Sequence, residues 1–351
     1  ESEETYYALK VYPLHKYLEG NGNFYVPKDQ NRNKQRSMLL QELSYLSKLR
    51  CDCLVQFIGA FYNPGVDITI VLEYMDCGSL VDLLGFHCLD NEQVYEAHEL
   101  STKYTTKNIQ HGIMLPSNVL AALSYQILWG LSYLHYEGLI HRDIKPANIL
   151  VNSGGQVKIS DLGIARDRHG KFKDSNLKVK EESIDGTLIH TVIGTTKYMS
   201  PERVLDKAYG SMSDIWSFGL VLLECATGGW LPFNDDYEEA KSLLDSSRQS
   251  KEETSEGLGF VDFVMMLEDF SCERVMEKLI SRSKKTHTVN NDNCNGTIDW
   301  EKEQGVSGGV GEILMACLQR NPDKRIPANI LLGSPWFKSF NINNVPTAIE
   351  T

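Results

Sequence analysis

His141-Arg142-Asp143-Ile144-Lys145-Pro146-Ala147-Asn148, followed downstream by Asp161-Leu162-Gly163, is the stretch on which the reading of this chain turns. Two carboxylates, an amide and a lysine at these spacings match what phosphoryl transfer from a magnesium-bound nucleotide requires. Such a transfer asks little covalent chemistry of a protein, so catalysis rests on positioning a hydroxyl and offsetting the charge on the moving phosphate. Asp143 can orient that hydroxyl and accept its proton. Asn148 can offer an amide oxygen to magnesium, a hard cation that prefers oxygen, and Asp161 can bridge metal and phosphates. The bland alternative, polar residues on a surface loop, accounts poorly for so many motif positions agreeing at once.

The rest of the composition is compatible with this chemistry. At 351 residues there is chain enough for two domains or one bilobal one. Lys plus Arg number 35 against 47 Asp plus Glu, a net charge of −12, which argues against general affinity for nucleic acid. The eight cysteines are scattered, Cys51-Asp52-Cys53 being the one close pair, and neither a zinc-site spacing nor a disulfide framework emerges. A reducing compartment, cytoplasm or nucleus, is the expectation. No apolar run reaches the roughly 18 residues of a membrane span. The best stretch, Val119 to Ile140, is interrupted by Ser124, Gln126, Ser132 and His135. No membrane insertion is expected, and the first residues do not read as a signal peptide.

Working outward from the motif, Tyr6 to Tyr12 reads as a strand carrying Lys10, a residue that in isolation would be a snorkelling edge lysine. Gln35 to Arg50 reads as a helix with Met38, Leu39, Leu43, Leu46 and Leu49 on one face; Glu42 lies beside that stripe, placed to pair with Lys10. Val55 to Tyr62 and Ile68 to Leu72 read as strands about the turn Asn63-Pro64-Gly65. Glu73 to Leu80 marks a boundary between lobes, where backbone groups can meet the edge of an adenine. Gly85 to Leu115 is polar and aperiodic, an inserted loop whose His87, Cys88, His98 and His111 lack ligand spacing. Pro116-Ser117 opens a helix ending near Gly138. Ile149 to Val151 and Val157 to Ile159 flank Asn152-Ser153-Gly154-Gly155 as a hairpin, which sets Asn148 and Asp161 at its two open ends.

Farther on, Arg166 to Ile189 has the composition of a mobile loop. Asp214 opens an apolar helix to about Ala226. Polar insertions span roughly Asn234 to Gly257 and Ser281 to Gly309, the latter with an idle glycosylation sequon at Asn295. Glu312 to Leu318 resumes a helix, and a last one precedes Trp336-Phe337.

Taken with Gly194-Thr-Thr-Lys-Tyr-Met-Ser-Pro-Glu-Arg203 and Met75-Asp-Cys-Gly-Ser-Leu80, these motifs make the chain resemble a eukaryotic protein kinase and, within that family, a dual-specificity MAP kinase kinase, over about Tyr6 to Phe340 apart from the insertions. The resemblance implies a bilobal α+β fold. A partial β-rich small lobe would occupy residues 1–74, a mainly helical large lobe 75–340 and a C-terminal tail 341–351. It implies ATP and magnesium, Lys10 on the phosphates with Glu42 as its partner, Asp143 as base, and Asn148 with Asp161 on the metal. Lys145 looks like the substrate-side lysine of Ser/Thr and dual-specificity kinases. Ala8, Leu72, Glu73, Met75 and Leu150 would surround the adenine, with Leu72 as gatekeeper. Leu46, Phe57, His141 and Leu162 would stack as a spine, and Glu202 would pair with Arg325. The substrate implied is a MAP kinase, phosphorylated on Thr and Tyr of its activation loop. An upstream kinase would act on Thr187 and Thr191.

Three departures accompany the resemblance. Leu162 stands where Phe is usual, a volume-conserving change expected to be tolerated. The activation segment is long. No glycine-rich loop precedes Lys10, so the chain reads as a fragment. The alternatives are a related Ser/Thr kinase acting further upstream and a non-catalytic pseudokinase scaffold. The missing glycine loop favours the scaffold, and the retained Lys10, Glu42, Asp143, Asn148 and Asp161 oppose it.

Overall fold

The computed structural model describes residues 5–13, 47–63, 67–85, 114–162, 166–167, 197–232, 267, 270–287, 298, 300 and 308–351. Glu42, Leu46, Thr187 and Thr191, with most of the helix expected over Gln35 to Arg50 and most of the insertions, lie outside the described residues.

Three strands, β1 (Tyr7–Pro13), β2 (Phe57–Asn63) and β3 (Asp67–Glu73), form an antiparallel sheet in the order β1-β3-β2. The central strand is the apolar one, with Ile68, Ile70 and Val71 buried, as expected where a strand has neighbours on both sides. In β1 the period of two sets Tyr7, Leu9 and Val11 outward and turns Ala8 and Lys10 inward, half-buried. The register places Ala8 opposite Leu72 and Lys10 opposite Ile70, fixing the lysine on the inner face.

Beyond the short helix α1 (Leu80–Leu84), helices dominate. Helix α2 (Ser117–Tyr136) buries Leu120, Leu123, Ile127, Leu131 and Leu134, and Gly138 takes the left-handed conformation (φ 76°) just after it. The run has a buried polar member with a task. Gln126, 2% exposed, accepts from Val157 N at 2.9 Å and donates to Gly155 O at 3.2 Å. It thereby pins the hairpin of β4 (Ile149–Val151) and β5 (Val157–Ile159) to α2, and that hairpin carries Asn148 and Asp161 at its open ends. Replacing Gln126 by Leu should leave the Val157 N–H buried and unpaired, at a cost of about 1–3 kcal/mol. A denaturant titration reads this; an unchanged midpoint would show that the hairpin is held by other means.

Helix α4 (Met212–Thr227) follows the one-turn α3 (Pro201–Val204) and is buried on every side, so it is the axis of the helical lobe and packs against α2. Around it stand α5 (Cys272–His287), α6 (Val310–Cys317), α7 (Ala328–Leu331) and α8 (Pro335–Ser339). Two boundaries differ from the sequence expectation. Helix α5 continues to His287, into the span read as a polar insertion, because Val275, Met276 and Leu279 anchor it in the core while its polar side faces outward. The residues read as a tail end in a further helix, α9 (Val345–Glu350), capped by Asn344 and packed on α2 through Val345 and Ala348. A short C-terminal sequence gives weak periodicity, so this docking was not legible.

Glu202 and Arg325 pair as expected. Arg325 sends Nη1 to Glu202 Oε1 at 2.7 Å and Nη2 to Oε2 at 2.8 Å, and spends its other donors on Gln319 O, Met212 O and Arg320 O. All five guanidinium hydrogens are therefore placed. Its face lies over the Trp216 ring, 5.2 Å from the centroid.

Candidate active site

The loop from His141 to Asn148 is shaped by a carboxylate from the core of the helical lobe. Asp214, 1% exposed near the head of α4, accepts from His141 N at 2.9 Å, Arg142 N at 2.8 Å and His135 Nε2 at 2.9 Å. Burial alone would raise its pKa; His135 and the backbone donors more than offset that, and the carboxyl lies below its ordinary range. Two backbone N–H groups captured by one carboxylate force a tight bend, and Arg142 takes the left-handed conformation (φ 72°) there. His141 is fully buried. Its Nε2 lies 2.8 Å from Ser160 O, which can only accept, and its Nδ1 accepts from Asp143 N at 3.3 Å, which together define the Nε2–H tautomer. The imidazole thus links the loop to the strand leading into Asp161.

Asp143 is held at one oxygen. Oδ2 accepts from Asn148 Nδ2 at 2.8 Å and from Lys145 Nζ at 2.8 Å, while Oδ1 takes no hydrogen bond from a described residue. Asn148 Nδ2 also donates to Asp143 O at 2.7 Å, which fixes the amide orientation and turns its oxygen the other way. Across the hairpin, Ser160 N and Oγ both donate to Asn148 O, at 2.8 and 3.0 Å, so Asn148 sits beside the residue that precedes Asp161. Asp161 has φ 60°, and its Oδ1 meets Lys10 Nζ at 2.5 Å. This contact joins residues 151 positions apart and closes the small sheet onto the hairpin. Lys10 is expected to pair with Glu42, which lies outside the described residues; the contact with Asp161 is a separate one.

The oxygen-only donor set of Asn148 and Asp161, with the amide oxygen left free by its own N–H bonds, fits a hard divalent cation such as magnesium.

The segment joining the lobes is wired to the same hairpin. Val151 N donates to Gly78 O at 2.9 Å and Cys77 N to Val151 O at 3.2 Å. Glu73 behaves differently from a residue free to meet a base. Its carboxylate takes Lys158 Nζ at 2.7 and 2.9 Å and Gln56 N at 3.1 Å, and its N–H is used by Gln56 O at 2.9 Å. Contact with an adenine from Glu73 is therefore left to its carbonyl. Met75 is buried at 5%, and Leu72, Ala8 and Leu150 are half-buried, Leu150 facing Lys158 across the hairpin. Of the expected spine, His141 and Leu162 are buried and Phe57 is half-buried, Leu162 within the apolar core, while Leu46 lies outside the described residues.

Beside the site, the segment before α3 is anchored on α4. Tyr198 Oη donates to Glu224 Oε2 at 2.5 Å, Lys197 Nζ lies 3.6 Å from Oε1, and Ser217 Oγ donates to Tyr198 O at 2.7 Å. Burial pushes the Glu224 carboxyl up, only partly countered by Lys197 and Tyr198. Arg142 and Arg203 both stack on the Tyr209 ring, at 5.3 and 5.2 Å, and Arg203 Nη1 donates to Arg142 O. Asp214, Lys158 and Glu224 escaped sequence reasoning. The available signal was a charged residue inside an otherwise apolar run, as at Asp214 and Glu224 in α4.

This disposition of Lys10, Asp143, Asn148 and Asp161 between a small sheet and a helical lobe is that of a nucleotide-dependent phosphotransferase scaffold. The model of the protein kinase domain family matches residues 24–337, and the chain belongs to that family. Its relatives there include MAP kinase kinases. It is 37% identical over 244 residues to mitogen-activated protein kinase kinase SIPKK of Nicotiana tabacum, covering 65% of this chain and 56% of that protein. It is 38% identical over 194 residues to mitogen-activated protein kinase kinase 2 of Arabidopsis thaliana, covering 55% and 42%. With the dual specificity mitogen-activated protein kinase kinase dSOR1 of Drosophila melanogaster it shares 29% over 312 residues, covering 88% and 62%. The chain spans about half the length of the curated relatives it matches. The family match begins downstream of β1, so the place of Lys10 rests on its contact with Asp161 and its register in the sheet.

Proposed function

We propose that the chain transfers the γ-phosphoryl group of ATP to threonine and tyrosine in the activation loop of a MAP kinase. The observation that carries this reading is Asp143, anchored at Oδ2 by Asn148 and Lys145 with Oδ1 left open. In that posture Oδ1 accepts the hydroxyl proton of the substrate as its oxygen attacks phosphorus and the bond to the β-phosphate oxygen breaks. Lys145 offsets charge on the phosphoryl oxygens, and Lys10 holds the α- and β-phosphates. Asn148 and Asp161 would hold magnesium, which would supply charge neutralisation on the phosphates. Ala8, Leu72, Met75 and Leu150 enclose the base, with the backbone of Glu73 and Met75 at its edge. The likeness to the dual-specificity relative from Drosophila supports the choice of acceptors. The test offers ATP and a catalytically dead MAP kinase and maps the labelled residues. Phosphate on both threonine and tyrosine supports the reading; label on serine or threonine alone points to a kinase of another tier, and nucleotide binding without transfer points to a scaffold.

Thr187 and Thr191 are proposed as the on-switch. Each phosphate adds about −1.5 to −2 charge, and Arg142, adjacent to Asp143, is the group that would read it. With an upstream kinase present, the Thr187→Ala, Thr191→Ala double variant is expected to stay at the basal rate while the unsubstituted chain is activated. Equal activation of both would move the switch elsewhere, with Ser183 the next candidate.

A further inference from the structure

Cys51 and Cys53 stand at the first and third positions of a turn closed by Leu54 N donating to Cys51 O at 3.1 Å. Cys51 is half-buried and Cys53 fully buried, and the two thiols are borne on the same turn with one residue between them. A turn of this kind keeps the two α-carbons within the span a disulfide bridges.

The turn is also tied to the candidate active site. Ile159 N donates to Cys53 O at 2.9 Å and Val55 N to Ile159 O at 3.0 Å, a parallel bridge to the strand that leads into Asp161 two residues later. On the other side Gly130 of α2 lies so close that a Cβ there would stand 2.9 Å from Cys53 O. The turn therefore has little room to change shape without moving β5.

We propose that Cys51 and Cys53 form a hydroperoxide-sensitive dithiol whose oxidation closes a disulfide across the turn and displaces the strand that leads into Asp161. The Cys51 sulfur attacks a peroxide oxygen, the O–O bond breaks, and the products are a sulfenic acid at Cys51 and an alcohol, or water from hydrogen peroxide. The Cys53 sulfur then attacks the Cys51 sulfur; the S–O bond breaks and the hydroxyl leaves as water with the Cys53 proton. The two thiols lose two electrons and two protons, and the peroxide is the oxidant. The hydrogen bond from Cys53 leads in holding the Cys51 thiol below its ordinary range, against burial, with Lys158 assisting. Among the described cysteines, Cys53, Cys77, Cys225, Cys272 and Cys317 are all shifted upward. The leading cause at Cys53 is its bond to Cys51, which is released once Cys51 is oxidised.

The effect on phosphoryl transfer rests on the proposed function, whereas the disulfide and its effect on nucleotide binding do not. The full chain is treated with hydrogen peroxide and digested under non-reducing conditions. The peptide holding both cysteines is weighed, and nucleotide thermal shift and transfer rate are followed before and after dithiothreitol. The expected result is an intrapeptide disulfide, two hydrogens lighter, with a diminished nucleotide shift and a transfer rate about 10²-fold lower, as a misplaced catalytic group commonly gives. Dithiothreitol restores both. Cys51→Ser and Cys51→Ala keep the basal rate and resist peroxide. Overoxidised Cys51 without a disulfide, a disulfide that leaves nucleotide binding unchanged, or equal loss in the Cys51 variants overturns the proposal. A chain without transfer under any condition, yet showing the disulfide and the altered nucleotide shift, refutes the kinase reading and leaves the dithiol standing.

Discussion

Replacing Asp143 by Asn is expected to lower phosphoryl transfer by a factor on the order of 10²–10³, the usual loss when one preorganised group at a reacting centre is removed. The amide has almost the same shape. Its oxygen still accepts from Asn148 and Lys145, which hold Oδ2 at 2.8 Å each, so the loop keeps its path and Asp214 keeps its grip on His141 and Arg142. The amide nitrogen then stands where Oδ1 stood, presenting a donor to the substrate hydroxyl where an acceptor is required. The loss should fall on kcat, with nucleotide thermal shift and denaturant midpoint preserved. Full turnover by Asp143→Asn would remove Asp143 from the role of base. Asp161→Ala is the companion variant and should fail differently, since it also releases Lys10 and weakens nucleotide binding itself.

The difference between those two variants also marks what was legible in the sequence. The motif residues from His141 to Asn148 lie on one short stretch, and the hairpin signal at Asn152 to Gly155 was enough to bring Asp161 back beside Asn148. Local geometry therefore carried the reading. The contacts that orient the loop are long-range and use residues whose types have many commoner roles. Asp214 is 71 positions from Asp143 in an apolar helix, and nothing at that distance announces that it will capture two backbone N–H groups. Lys158 alternates with buried Val157 and Ile159 and reads as an outward strand residue, yet it is buried because Glu73 meets it from the junction between the lobes. Gln126 looked like an interruption of an apolar helix and is the peg that holds the hairpin. In each case a polar residue inside an apolar pattern was visible, but its partner is set by tertiary packing that periodicity does not encode.

Glu202 and Arg325 show the same logic in its energetically largest form. Removing one partner, as in Arg325→Ala, is expected to cost about 3–5 kcal/mol, because it leaves the Glu202 carboxylate buried without its guanidinium. That is a large part of the roughly 5–15 kcal/mol that holds a domain folded. Replacing both by apolar residues of similar volume, Glu202→Leu with Arg325→Met, should cost far less, since no charge is left behind and the Trp216 ring keeps a neighbour. The pair also has a pH signature. Burial pushes the Glu202 carboxyl up, but the Arg325 guanidinium more than offsets it and holds the group below its ordinary range. A carboxyl with a depressed folded pKa stabilises above its unfolded value of about 4.3, and the contribution is lost as pH falls through the folded value. The gap between the unsubstituted chain and the apolar double variant should therefore move against the former in acid, below about pH 4, and hold steady near neutrality. Arg325 Nη1 also donates to Met212 O, at the head of the helix bearing Asp214, at 2.8 Å, so its loss should loosen the capture of the His141 loop before the chain unfolds. Denaturant midpoints of the single and double variants at neutral and acid pH measure all of this. A single variant as stable as the double would mean that the buried pair contributes little, and that packing on Trp216 alone holds this end of α4.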